Sequence, residues 1–349
     1  MTNTEKIARA RTLLSDDLSL RVFDARVMCG ADVKREAFPE TLELTRLPDA
    51  DKSRLLALAD GMRDPCREKF IYGAGHGCKH VLEAGVSRVL GVSGWSGIID
   101  NGVVGERYGL PVVSFADFAA KHKDALVLNS VGQPAGAAIH RQCLDAGIDV
   151  MSLFELDLSW NQYFDLPMEM GLVGDGEVFV QAGCYNGDTQ KSYVNWFGDT
   201  YAKMVTFEPS AKQFELCKGK LASIRNVDVA QAGLSDHSGS TRFTLDNFGL
   251  SFVSQNGSEV ISAVALDEYM AGQRVTFIAL DIEGEELSAL RGAKNIIVEQ
   301  RPKLAISVYH KAEDIWEIPF LVKEYNPDYR LYLRHYHLLD MAETVLYAL

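Results

Sequence analysis

Four short stretches place polar or ionisable residues directly after apolar runs, where a strand would deliver them to one edge of a sheet. They are "VFVQAGCYNGDT" (178–189), "MVTFEPS" (204–210), "FIALDIEGEEL" (277–287) and "KLAISVYH" (303–310). In the first, Gly183 and Gly187 permit a tight turn and let the backbone approach a bound group at the start of the next helix. The spacing is G-x-x-x-G, without the third glycine of a pyrophosphate loop, so the glycines alone do not name a ligand. Glu208 lies 25 positions beyond Gly183 (208 minus 183), near the offset of about 20 at which an acid meets ribose hydroxyls. Each such charge-assisted bond contributes about 1.5–3 kcal/mol, enough to orient a nucleoside; the alternative is that Glu208 simply ends a strand.

Asp281 and Glu283 follow the third apolar run and face the crevice where open α/β sheets hold ligands, although either could instead cap the helix that follows. His310 ends the fourth run and titrates in the range a general base needs. Structural or substrate contact is the other reading of that histidine. In "LRHYH", His335 and His337 read as turn or substrate-pocket residues. Two carboxylates on a charged turn predict no metal by themselves, so none is expected.

Composition limits what these residues can serve. The 349 residues suit two domains, and 47% hydrophobic with 24% charged residues gives enough apolar mass for two cores. A formal charge of −13 argues against a nucleic-acid partner, whose phosphates are met by Lys and Arg. The six cysteines form no C-x-x-C pair, so neither zinc nor a disulfide framework is expected and the thiols read as reduced. Without a signal-like leader or an apolar run of membrane-spanning length, the chain reads as soluble and cytoplasmic, with no membrane partner.

Helical spacing over 4–30 and again near 51–63 makes 1–68 a helical lead-in. From 69 to 153, runs such as "KFIYGAG", "SRVLGVSG", "LPVVS" and "DALVLNSVG" alternate with helix-like segments, the rhythm of a Rossmann-like parallel α/β domain. Residues 154–175 read as a junction. Strands are expected at 177–182, 203–207, 227–231, 275–281, 303–309, 329–334 and 344–348, a seven-stranded doubly wound sheet over 176–349. The Thr-, Ser- and Val-rich segment 238–266 carries β-hairpin character.

A second glycine loop, "FIYGAGHGCKH" (70–80), makes a competing claim to a nucleotide. Cys78 stands where a third glycine belongs, and Asp100, 25 residues after Gly75, more naturally opens a turn with Asn101 and Gly102. A nicotinamide oxidoreductase built on this loop is therefore disfavoured.

Taken in series, "VFVQAGCYNGDT", "VTFEPS", "ALDEY", "FIALDIEGEELSALRGA", "RPKLAISVYHKAEDIWEIP" and "YLRHYH...ETVLYAL" resemble the FkbM family of S-adenosylmethionine-dependent methyltransferases over 176–349. The resemblance implies a class I methyltransferase fold with Gln181, Gly183, Cys184, Gly187, Glu208 and Gly233 around S-adenosyl-L-methionine. Methyl transfer needs a base for the acceptor's proton, and Asp281 and His310, at strand ends, are the catalytic candidates, with Glu283 and His335 toward the substrate. One departure is Gln181, where the family usually carries an acid; a glutamine is neutral where that acid helps hold the methionyl amino group. Residues 69–153 resemble the small domain preceding some sugar acetyltransferases, which implies a nucleotide-sugar ligand. The combined expectation is an O-methyltransferase for a sugar, nucleotide-sugar or other small polar metabolite, with a homo-oligomer left open. Its alternative is a non-catalytic nucleotide-sugar-binding or scaffold protein in which Gln181 marks a weakened cofactor site.

Overall fold

The computed structural model describes residues 1–30, 43–46, 52–53, 60–83, 92, 94–132, 134–152, 162–245, 251–253, 259–337 and 341–349. The "SRVLGVSG" run lies mostly outside the described residues, as does most of the 51–63 segment. The chain divides into two compact units. The larger comprises Met1–Arg35, Ser159–His337 and Met341–Leu349, and the smaller comprises Glu36–Leu158 and Leu338–Asp340.

Helices α1 (Asn3–Arg11) and α2 (Asp17–Cys29) open the chain and belong to the larger unit. Thr2 and Glu5 close a reciprocal capping box on α1, and Asp16 caps α2 through Ser19, which satisfies amides that a helix start otherwise leaves open.

The smaller unit is a six-stranded sheet in the order β3-β4-β2-β1-β5-β6: β1 Lys69–Tyr72, β2 Gly97–Ile99, β3 Gly105–Arg107, β4 Leu110–Val113, β5 Leu126–Asn129 and β6 Asp149–Ser152. All its pairings are parallel except β3 with β4. Helices α3 (His76–Glu83), α4 (Phe115–Lys121) and α5 (Ala135–Asp145) alternate with the strands. The four residues of β1 are all buried, and so are those of β5, as the uninterrupted apolar runs of a sheet covered on both faces require.

The larger unit holds seven strands in the order β9-β8-β7-β14-β15-β17-β16. These are β7 Val178–Ala182, β8 Lys203–Phe207, β9 Val227–Ala230, β14 Phe277–Leu280, β15 Lys303–Ser307, β16 Leu331–His335 and β17 Thr344–Ala348. Only β17 runs against its neighbours. That order and polarity is the class I methyltransferase fold expected from the sequence. All seven strands fall within the segments expected for them, save that β16 runs one residue further. Between them, β10 (Gly233–Leu234), β11 (Gly239–Leu245), β12 (Ser251–Val253) and β13 (Glu259–Val264) form a separate sheet in which β11 pairs antiparallel with β12 and β13, the hairpin character expected of 238–266.

The chain leaves β7 toward β8 on one side and returns through β14 to β15 on the other. This reversal opens a crevice at the carboxyl ends of β7 and β14, the usual ligand position in such sheets. Below it, Phe164 stands edge-on to Phe179, Tyr193, Phe197 and Phe277, each aromatic pair adding about 0.5–1.5 kcal/mol beyond burial. At the opposite sheet edge, Ser15 N–H donates to the Leu331 carbonyl at 2.8 Å and Leu333 N–H to Ser19 Oγ at 2.8 Å. The N-terminal residues thus occupy backbone groups on an edge strand that would otherwise invite another chain.

One expectation is corrected. Cys184 and Cys217 form a disulfide across 33 residues, where reduced thiols were expected. Cys184 lies in the glycine loop and Cys217 on α7 (Ala211–Leu221; α6 is Asp188–Phe197), so the fold brings together a pair that no short-range spacing announces. Among the described cysteines, Cys29, Cys66, Cys78 and Cys143 are free.

Candidate active site

The loop after β7 is built for close approach. Gly183 has φ +85°, and a Cβ there would lie 1.8 Å from the Asp281 carbonyl oxygen. The turn therefore rests directly on the end of β14. Gly187, also at φ +85°, starts α6. Gly183 and Cys184 N–H both donate to the Phe207 carbonyl, at 3.1 and 3.2 Å.

Glu208, at the end of β8, is buried and accepts from the backbone N–H of Tyr185 (2.9 Å) and of Ser210 (3.0 Å). Burial raises its carboxyl above the ordinary range, with these two bonds pulling the other way. A carboxylate has about four lone-pair positions. Two amides leave room for two hydroxyls.

Gln181 is buried beneath the loop. Its Nε2 donates to the Gly183 carbonyl at 3.0 Å, and its Oε1 accepts from Gln190 Nε2, which also donates to Thr206 Oγ1 at 3.0 Å. A carboxylate can only accept, whereas this position requires one donor and one acceptor. The Gly183 carbonyl is the partner that a glutamine serves and an acid does not.

A second group of side chains converges at the ends of β14 and β15. Asp281 Oδ2 accepts from Tyr163 OH at 2.7 Å, and Oδ1 faces Tyr309 OH at 3.1 Å. His310 Nε2 lies 3.4 Å from Asp281 Oδ1 and 3.5 Å from Glu283 Oε2, while Nδ1 lies 2.9 Å from Glu286 Oε1. Glu286, the first residue of α8 (Glu286–Gly292), is wholly buried and also accepts from Ile282 N–H at 2.9 Å. Glu343 closes the far side, taking a hydrogen bond from Gln162 at 2.7 Å.

The charges here are strongly coupled. Burial alone would lower the His310 imidazole, but the Glu286 hydrogen bond and the charges of Glu286, Asp281 and Glu283 outweigh it and raise it to about 9. Burial, reinforced by Asp281, raises Glu343 to about 7. Burial likewise holds the Tyr163 and Tyr309 hydroxyls well above 10, so both remain protonated donors to Asp281.

Backbone conformation marks the same place. Of the seven non-glycine residues with positive φ among those described, Tyr163, Glu283 and Glu343 belong to this cluster and Tyr185 to the glycine loop. Left-handed backbone costs such residues about 1–2 kcal/mol each, so its concentration here points to a functional constraint.

The sequence-derived residues thus fall into two assemblies: Gln181, Gly183, Cys184, Gly187 and Glu208 around the loop, and Asp281, Glu283 and His310 beside it. Gly233 is placed in β10, paired with Ala263 of β13. His335 is fully buried in β16, with Nδ1 3.2 Å from Thr344 Oγ1. Tyr163, Tyr309, Glu286 and Glu343 were not singled out from the sequence, although Tyr309, Glu286 and Glu343 lie inside the quoted motifs. Arg26 of α2 was also missed. Fully buried, it donates to the carbonyls of Gly30 (2.7 Å) and Lys311 (3.0 Å) and reaches that of Tyr309 at 3.5 Å, so it holds the backbone on both sides of His310.

Residues 181–337 match the family model described as the Methyltransferase FkbM domain. The matched residues are similar to a methyltransferase domain. The match spans the glycine loop, Glu208, Asp281 and His310 together. Among solved structures, an FkbM methyltransferase from Methylobacillus flagellatus KT is 20% identical, covering 86% of this chain and 99% of that one at a TM-score of 0.49. Aeropyrum pernix fibrillarin, solved with natively bound S-adenosyl-L-methionine, is 10% identical over 55% of this chain and 76% of its own, with a TM-score of 0.34. A SAM-dependent methyltransferase from Aquifex aeolicus is 13% identical over 56% and 94%, at 0.33. No curated protein sequence matches the chain.

Proposed function

We propose that the larger unit transfers a methyl group from S-adenosyl-L-methionine to a hydroxyl of a small polar acceptor, a sugar or nucleotide-sugar. The observation that carries this reading is the adjacency of the two assemblies. The turn at Gly183 touches the carbonyl of Asp281, whose side chain faces His310 at 3.4 Å.

The cofactor supplies an electrophilic methyl group on a sulfonium. The chain's part is to bind, orient and manage a proton. Two free acceptor positions on Glu208 suit a pair of vicinal ribose hydroxyls, and Gly183 and Gly187 let the backbone close on the ligand. Asp281 and Glu283 keep 22% and 37% of their side chains exposed, which leaves them open to an incoming acceptor. Asp281 draws the hydroxyl proton, while His310, raised to about 9 and so already protonated near neutral pH, balances the charge beside it, and the tyrosines fix the Asp281 rotamer. Orientation of this kind supplies about 7–11 kcal/mol of a barrier, and general-base help about a further 10²–10⁴-fold in rate.

The competing scaffold reading was motivated by Gln181. Its donation to the Gly183 carbonyl, a bond no carboxylate makes, gives the glutamine a structural reason and weakens that motive. A sugar acceptor follows the resemblance of residues 69–153 and gives the first set of compounds to try. The test is methyl transfer from labelled cofactor to a panel of sugars and nucleotide-sugars, with Asp281→Asn as control. Label in a base-stable ether, lost in the variant, supports the reading. Label appearing only on amines or thiols would overturn the hydroxyl assignment.

A further inference from the structure

One hydroxyl in the site answers to two carboxylates. Tyr309 OH stands 3.1 Å from Asp281 Oδ1 and 3.4 Å from Glu343 Oε1, and it has a single proton to give. Both separations exceed the span of about 2.5–3.0 Å usual for an O–H···O bond, so neither acceptor holds the hydroxyl fully. Tyr163 is the contrast: its hydroxyl is committed to Asp281 Oδ2 at 2.7 Å.

A tyrosine that only props a neighbour needs one acceptor, and a second carboxylate in reach adds repulsion. Glu343 is nevertheless held in that place. Gln162 Nε2 donates to its Oε2 at 2.7 Å, which leaves Oε1 for Tyr309, and its backbone is left-handed at φ +54°. The titratable and charged groups that face it are Asp281 beyond β14, Tyr309 and His310 beyond β15, His337 beyond β16, and Tyr163 beside Gln162. Burial, with Asp281 adding to it, raises Glu343 to about 7, so near neutral pH it both takes up and gives back a proton. Part of its surface stays in contact with solvent.

In methyl transfer the acceptor's O–H bond breaks, its oxygen gains the methyl group, and the cofactor's sulfur keeps the electron pair of the broken S–CH3 bond. One proton is left on Asp281, and His310, already protonated, does not take it. We propose that Tyr309 passes this proton from Asp281 to Glu343, which releases it to water. Asp281 Oδ1–H donates to the tyrosine oxygen while the tyrosine O–H gives its own proton to Glu343 Oε1. Asp281 ends ionised, Tyr309 neutral and Glu343 protonated. No tyrosinate has to persist, as suits a hydroxyl that burial holds well above 10. The origin of the proton rests on the methyl-transfer reading, whereas the hydroxyl shared between two carboxylates stands without it.

Two measurements on the full-length protein test the relay. The first is infrared titration of the carboxyl C=O stretch without acceptor, which is independent of turnover. One carboxyl should titrate near pH 7, be absent from Glu343→Gln and shift in Tyr309→Phe. The second is the pH profile of kcat. The relay needs Glu343 ionised, so turnover should level off above about pH 7 and fall about tenfold per unit below it. Glu343→Gln and Tyr309→Phe should each remove that limb and lower the plateau at least about tenfold. Tyr163→Phe, which leaves the shared hydroxyl in place, should lower turnover and keep the limb. S-adenosylhomocysteine affinity within about threefold of the unmodified protein's shows that each variant is folded. No carboxyl titrating near pH 7, one that survives in Glu343→Gln, or an acidic limb unchanged in both Glu343→Gln and Tyr309→Phe overturns the relay. The carboxyl titrating as described while no acceptor is methylated would support the proton link between Tyr309 and Glu343 and strike instead at the methyl-transfer reading.

Discussion

The two glycine loops of this chain are close analogues that end in different chemistry. Each follows a fully buried strand that lies between parallel neighbours, and each is clasped by an acid at the end of the neighbouring strand. In the smaller unit Asp100 accepts from the N–H groups of Ala74 (2.9 Å), Gly102 (2.8 Å) and Val103 (3.1 Å). In the larger unit Glu208 accepts from two. Three bonds nearly fill a carboxylate, whereas two leave a pair of positions for ligand hydroxyls. Beyond the first loop, β5 ends in the neutral Asn129, spent on the Gly136 carbonyl and Ser152. Beyond the second stand Asp281 and His310. A glycine turn is thus a feature of backbone geometry, and its function is set by what the next strands bring to it.

The largest effect that separates the loops is steric. Gly183→Ala sets a Cβ against a backbone carbonyl 1.8 Å away, which cannot yield, and should abolish S-adenosylhomocysteine binding in a calorimetric titration. Gly73→Ala instead meets the Val131 side chain at 2.4 Å and should leave that affinity unchanged. Next comes charge. Glu208→Ala should weaken binding about 10²–10⁴-fold, from two bonds of about 1.5–3 kcal/mol each. Asp100→Ala should lower only the thermal stability of the smaller unit, by about 1–3 kcal/mol for each amide left without a partner.

A third contrast is covalent. The Cys78 thiol in the first loop's helix is buried, which pushes it up to about 11 and leaves it unreactive, whereas Cys184 in the second loop is bridged to Cys217. Replacing both bridged cysteines by serine should destabilise the larger unit by about 3–4 kcal/mol in urea unfolding, from the loop-closure entropy of a 33-residue separation. Cys78→Ala should leave that unit's transition in place. The smallest change in affinity is expected of Arg26→Lys. A lysine lacks the forked donors that reach the carbonyls around His310, so methyl transfer should fall by up to about 100-fold while S-adenosylhomocysteine affinity stays within about threefold. Equal losses in both would make Arg26 a purely structural residue.

Much of the larger unit was legible in the sequence because its central strands are continuous apolar runs ending in Gln181, Glu208, Asp281 and His310. Burial on both faces writes that pattern directly into the chain. What escaped was whatever depends on contacts between distant segments. Arg26 reads as an ordinary charged residue of an amphipathic helix until the fold sets it against residues 309 and 311. Tyr163 lies in a stretch taken for a junction, and its hydroxyl becomes relevant only across 118 positions to Asp281. The Cys184–Cys217 bridge was missed for the same reason. Gln181 was visible as an anomaly, but its explanation needed the turn that sets the Gly183 carbonyl against its Nε2.

The most direct test of the central claim is calorimetric titration of the unmodified protein with S-adenosylhomocysteine and, separately, with NADH. One S-adenosylhomocysteine per chain and no heat from NADH is the predicted result. No S-adenosylhomocysteine binding, or NADH binding lost on Gly73→Val, would contradict the account and assign the nucleotide to the other loop.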